Sequence, residues 1–274
     1  MSRILYTPRQ RKKPKRASSR SYILGIAASL VAIIMLLGAI FLLRLPGWQV
    51  SKIEFSGLET LDSKELENKV RTELTGQYAF LVPRSSIFLA GVESLSAFLK
   101  KEFPVIGEIR LEKKFPNTLS ISVSERKVLG ILCNDLEEKE NISCVYIDTK
   151  GFAVDKAPNS TGSLIVKVRT DFSELTVGSN VLDSTVVERI LFLGSELKKK
   201  TGAGAIEYEY SSKNPKDIVL RTHEGFRILF LKDSNFENVF KVLRRVLDEE
   251  IKDRRAKLDY VDLRFGNKVF FKFR

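Results

Sequence analysis

The chain has 274 residues, 43% of them hydrophobic, which excludes wholesale disorder and allows one large domain or two smaller ones. Its 46 Lys and Arg against 34 Asp and Glu give a formal charge of +12. The excess is local: residues 1–21 hold eight basic residues and no acid, and without them and Arg44 there are 37 bases to 34 acids, so no folded basic face for nucleic acid is expected. The basic tail reads as a topology signal in weak contact with anionic membrane lipid.

Tyr22 to Leu43 runs for 22 positions without a charge. At about 1.5 Å per residue, a helix of that length crosses the roughly 30 Å hydrocarbon core. Arg44 follows, Pro46 and Gly47 stop the helix, and Trp48 suits the membrane–water boundary. A cleaved signal peptide would be shorter and would end in a small-residue site. Residues 22–44 are therefore expected to be a transmembrane helix. Eight cations precede the span, and only Arg44 and Lys52 follow it closely. The positive-inside bias then keeps residues 1–21 in the cytoplasm and exports residues 45–274.

Residues 49–126 predict the order β-α-α-β-β. A strand over Val50–Ser56 ends at Gly57. A helix over Ser63–Leu74 carries an Asp62/Glu65 capping box and an apolar face of Leu66, Val70 and Leu74. Val92, Leu95, Phe98 and Leu99 mark a second helix, ended by Pro104. Strands over Val105–Lys113 and around Leu119, Ile121 and Val123 flank a turn at Phe115-Pro116-Asn117. Residues 127–274 predict a mostly antiparallel β domain with two helices. Its strands are expected at Val128–Cys133, Cys144–Asp148, Phe152–Val154, Leu164–Arg169, Asp217–Thr222, Phe226–Leu231, Tyr260–Phe265 and Lys268–Phe273. Its helices are expected at Ser184–Lys199, with a Thr185/Glu188 capping box, and at Asn235–Lys252. The fold class is α+β.

Four stretches in this order, "VSKIEFSGLETL" (50–61), "FPVIGEIRLEKKFPNTLSISVSER" (103–126), "VYIDTKGFAV" (145–154) and "YVDLRFGNKVFFKFR" (260–274), resemble the FtsQ/DivIB family of bacterial division proteins. The resemblance implies a single-pass anchor, a POTRA domain over 49–126 and a β domain over 127–274. It also implies a location in the inner membrane at the division septum.

Chemistry is sparse. His223, the one histidine, falls in a hairpin turn and can assemble neither a His-based metal site nor a catalytic triad. Gly202-Ala203-Gly204 follows a helix and lacks the dinucleotide pattern. Glu137/Glu138 and Glu249/Glu250 read as solvated carboxylates. No enzyme activity and no cofactor are expected. Cys133 and Cys144 bracket one polar loop and can form a disulfide in an oxidising compartment, or remain free thiols in a reducing one.

The final strand places Val269, Phe270, Phe271 and Phe273 on both of its faces, with no sequence after Arg274 to cover its edge. It is either an ordinary core strand or a place where a partner adds a strand. The resemblance implies the second, with FtsB-like and FtsL-like single-pass division proteins as partners. It places the contact on Arg264, Phe265, Asn267 and Phe273, with Arg264 offered to an acidic partner residue, and the apolar edge strand itself adds Val269 and Phe271. The function implied is a scaffold that links these proteins and regulates septal wall synthesis. The competing readings are a membrane-anchored envelope enzyme and a POTRA-type chaperone of polypeptide transport.

Overall fold

A computed structural model describes residues 19–78, 81–137, 142–160, 165–266 and 268–274. The basic tail before Ser19, Asn267, Leu164 and Glu138 lie outside the described residues. The described residues group into two compact units. One comprises the chain up to Glu54 with Arg71–Gly91 and Glu112–Ser120; the other comprises Phe55–Val70, Val92–Leu111 and Ile121–Arg274.

Helix α1 (Ser19–Arg44) contains the uncharged run, and none of its apolar span is buried. Pro46 then sets a single 3-10 turn, Pro46–Trp48. Strand β1 (Lys52–Ser56), helix α2 (Ser63–Glu73), the short pair β2 (Gln77–Tyr78) and β3 (Val82–Pro83), helix α3 (Val92–Glu102), β4 (Ile106–Lys114) and β5 (Thr118–Glu125) follow. β1, β5 and β4 form a three-stranded sheet in that order. Leu66 and Val70 of α2, Leu95 and Leu99 of α3, and Ile121 and Val123 of β5 are buried, as their helical and alternating spacing predicts. Asp62 caps α2 by accepting the Lys64 N–H at 2.9 Å. Gly57 takes a left-handed φ of 77°, and a Cβ there would stand 2.1 Å from the Val123 carbonyl oxygen, so only glycine can turn the chain at this point. The β2–β3 pair was not expected from the sequence; two residues per strand are too few for a periodic signal.

The remaining strands are β6 (Val128–Cys133), β7 (Cys144–Asp148), β8 (Ala153–Ala157), β9 (Val166–Thr170), β10 (Ala205–Tyr210), β11 (Asp217–Thr222), β12 (Arg227–Leu231), β13 (Leu258–Phe265) and β14 (Lys268–Phe273). They build one nine-stranded sheet in the order β14-β13-β12-β11-β10-β9-β6-β7-β8. Three pairings are parallel (β12 with β13, β9 with β10, β6 with β9) and the others antiparallel. Helices α4 (Ser184–Thr201) and α5 (Phe236–Arg245) supply Val186, Ile190, Leu193, Phe240 and Leu243 to a core shared with Ile218, Leu220, Ile228, Phe230 and Val261 of the sheet. The cap of α4 is Asp183, not Thr185: its carboxylate accepts the Thr185 N–H at 2.7 Å. The last helix was expected to run unbroken to Lys252, but after Arg245 it widens into a π-helical turn, Val246–Ile251. Asp248, Glu249 and Glu250 there face the negative end of the helix dipole, which disfavours further α-helix.

Candidate functional site

Strand β14 is the terminal strand of the large sheet, and among the described residues nothing pairs with its outer side. Its inner side pairs antiparallel with β13, with Leu258 opposite Phe273, Val261 opposite Phe271 and Asp262 opposite Phe270. Both irregularities in this pairing add residues to β13, so β14 itself stays regular. Arg274 donates its N–H to the Lys257 carbonyl at 2.8 Å. Alternation along the strand therefore turns the N–H groups of Val269, Phe271 and Phe273 away from β13, toward the open side.

Aromatic rings flank that open side on both faces. On one face, Phe265 and Phe270 meet edge to face at 5.3 Å and are 56% and 50% exposed. On the other, Phe271 and Phe273 meet edge to face at 5.7 Å, and the Arg254 guanidinium lies 4.6 Å from the Phe273 ring. Val269 and Phe273 also touch the helix-covered core. Phe270 was not among the expected contact residues, although the adjacent Phe270-Phe271 pair must place one ring on each face of a strand.

Arg264 is committed within the sheet. Its guanidinium donates to both oxygens of Asp262 at 2.9 and 2.6 Å and to Asp217 at 2.5 Å. Its hydrogen bond to Asp262 leads in holding it charged, with its pKa raised. Burial pushes the Asp262 carboxyl up, but the hydrogen bonds from Arg264 outweigh burial and hold it below the usual carboxylate range. The charge expected to meet an acidic partner is thus already balanced by two neighbouring carboxylates.

Cys133 and Cys144 are joined as a disulfide, Cα to Cα 4.2 Å, directly opposite each other on β6 and β7. They lie six and seven strands from β14, about 30 Å or more at the usual strand spacing, and are not part of the aromatic edge. His223 sits in the β11–β12 turn and donates its N–H to the Gly204 carbonyl. An open cleft of about 740 Å³, lined by Thr60, Glu65, Lys101, Phe103, Tyr146 and Asp155 among others, holds no histidine or cysteine. Among the described residues, no group of three His, Cys, Asp or Glu is arranged to hold a metal.

The family model described as POTRA domain, FtsQ-type, matches residues 49–126. The chain is 24% identical to the cell division protein FtsQ of Geobacter sp. (strain M21) over 82% of this chain and 81% of that relative. It is 25% identical to the cell division protein DivIB of Clostridium botulinum (strain Hall), over 84% of each. The α+β architecture of apolar helix, POTRA domain and sheet-rich remainder agrees with these matches. This is a single-pass membrane protein with a role in cell division, carrying an FtsQ-type POTRA domain and similar over most of its length to the FtsQ and DivIB division proteins.

Proposed function

We propose that the chain is a non-enzymatic division scaffold whose β14 edge receives a strand from FtsB-like and, through them, FtsL-like single-pass proteins. Residues 45–274 are exported, the basic tail lies in the cytoplasm against anionic lipid, and the assembled complex regulates septal wall synthesis at the septum. The observation that carries the reading is the open edge of β14, with outward N–H groups at Val269, Phe271 and Phe273 and exposed rings on both faces. Main-chain hydrogen bonds to an added strand would supply affinity, and the pockets between the rings would select the partner. Arg264 would act by fixing the end of β13 rather than by meeting the partner alone. The POTRA domain over 49–126 and the β domain over 127–274 divide the exported part, and the partner surface belongs to the second.

The test uses the full chain in lipid vesicles and the exported segment of an FtsB-like protein. Phe271→Pro removes an outward N–H, and Phe273→Ala removes a ring, which should weaken binding by about 2 kcal/mol or more. Thermal unfolding of each variant reports whether the fold survives. Unchanged affinity in both folded variants would place the partner elsewhere.

A further inference from the structure

We propose that Tyr78, the segment from Leu81 to Gly91 and the turn at Phe115 form a second membrane contact, seated in the headgroup layer of the bilayer that α1 crosses. Three rings from separate stretches make one strip: Trp48 and Phe88 are 5.1 Å apart, and Phe88 and Phe115 are 5.4 Å apart. Phe88 is 46% and Phe115 58% exposed, and Leu81, Leu89 and Tyr78 are exposed beside them in sequence. Single exposed apolar residues need no explanation, but a continuous aromatic strip does.

The occupant follows from what the strip is tied to. Arg44, the last residue of α1, donates from Nε to the Leu81 carbonyl at 2.7 Å. Val50 donates its N–H to the Ser85 carbonyl, and Ile87 donates its N–H to the Trp48 carbonyl, both at 2.8 Å. The strip is therefore stitched to the residues that leave the bilayer and belongs to the same compact unit as α1. Its charges fit the same place. Arg84 is the only charged residue from Gly76 to Gly91, and its guanidinium lies 5.2 Å from the Tyr78 ring. Lys113 Nζ donates to the Phe88 carbonyl at 3.1 Å. Aromatic rings with cations beside them match the boundary between acyl chains and phosphates.

The chain has one tryptophan, Trp48, so depth can be read optically. In a Trp48→Phe background, Phe88→Trp, Phe115→Trp and, as a control on α4 in the other compact unit, Phe192→Trp are each placed in the full chain. Each variant is reconstituted in vesicles of phosphatidylethanolamine and phosphatidylglycerol brominated on the upper acyl carbons. The expected result is quenching at positions 88 and 115 comparable to that of Trp48 in the unaltered chain, with none at 192. Unquenched, red-shifted emission at both positions would put the strip in water. Unquenched, blue-shifted emission would put it against protein, a second copy included. Either result overturns the proposal, while quenching of Trp48 in the unaltered chain separately reports that the anchor is inserted. Circular dichroism identifies any variant that fails to fold, and the other position then decides.

Discussion

Glu125 ends β5 and spends both carboxylate oxygens on one loop. It accepts the backbone N–H groups of Glu59, Thr60 and Leu61 at 2.8, 3.0 and 3.1 Å, together with the Thr60 hydroxyl. Burial pushes its pKa up, but the Thr60 hydroxyl and the three N–H groups outweigh that and hold it below the usual carboxylate range. A carboxylate with a depressed folded pKa stabilises fully above its unfolded value, about 4.3, and loses that contribution as pH falls through the folded one. Glu125→Ala should therefore lower stability at pH 7 by about 2 kcal/mol, and the gap to the unaltered chain should close on acidification; a constant gap in denaturant titrations at pH 7 and pH 3 would refute this. Its neighbour Arg126 pairs with Asp148 at 2.7 Å and stacks 3.9 Å from the Phe152 ring. Asp148 also accepts the N–H groups of Lys150 and Phe152. Gly151 turns that loop at φ 77°, where a Cβ would stand 2.0 Å from the Leu182 carbonyl oxygen. These are the residues of the "SER" and "IDTKG" stretches. The sequence marks them as distinctive, but their partners are 22 or more positions away or on the backbone, where no local pattern shows them.

Among the elements, β10 illustrates what local pattern misses. Ala205–Tyr210 alternates, with Tyr208 and Tyr210 buried, yet Glu207 and Glu209 make the run read as polar loop. Neighbouring strands neutralise them: Lys167 and Arg169 of β9 lie 3.9 and 3.7 Å from Glu207, and Arg221 of β11 lies 3.4 Å from Glu207 and 3.6 Å from Glu209. Such a network exists only once the sheet is assembled. Helix α4, by contrast, was legible almost to its ends, because one apolar face over five turns needs no distant partner. The hairpin joining β6 and β7 was legible as well, since two cysteines ending paired strands meet across it. Its disulfide closes a short loop, so replacing Cys133 and Cys144 with Ala should cost about 2–3 kcal/mol of stability in oxidising buffer and nothing in reducing buffer. Peptide mapping without reductant should recover the two cysteines linked; recovery as free thiols from the native envelope would remove the bond from the functional state.

At the scale of the whole molecule, the charge imbalance around α1 sets an expectation about sidedness. Protease added outside spheroplasts should digest residues 45–274 and leave the basic tail protected; the reverse pattern would overturn the proposed topology. The order of the large sheet, with its three parallel pairings, was not legible, since which strand lies beside which is a long-range choice. That order nevertheless follows the chain from β9 to β14, so each newly made strand lies down beside the one made before it. The aromatic edge is consequently the last piece of the sheet to exist. Until it arrives, β13 is the rim, carrying Asp262 and Arg264 locked to each other. A molecule stalled before β14 emerges would present that carboxylate–guanidinium rim and no ringed strand, so the proposed partner edge would be missing from it.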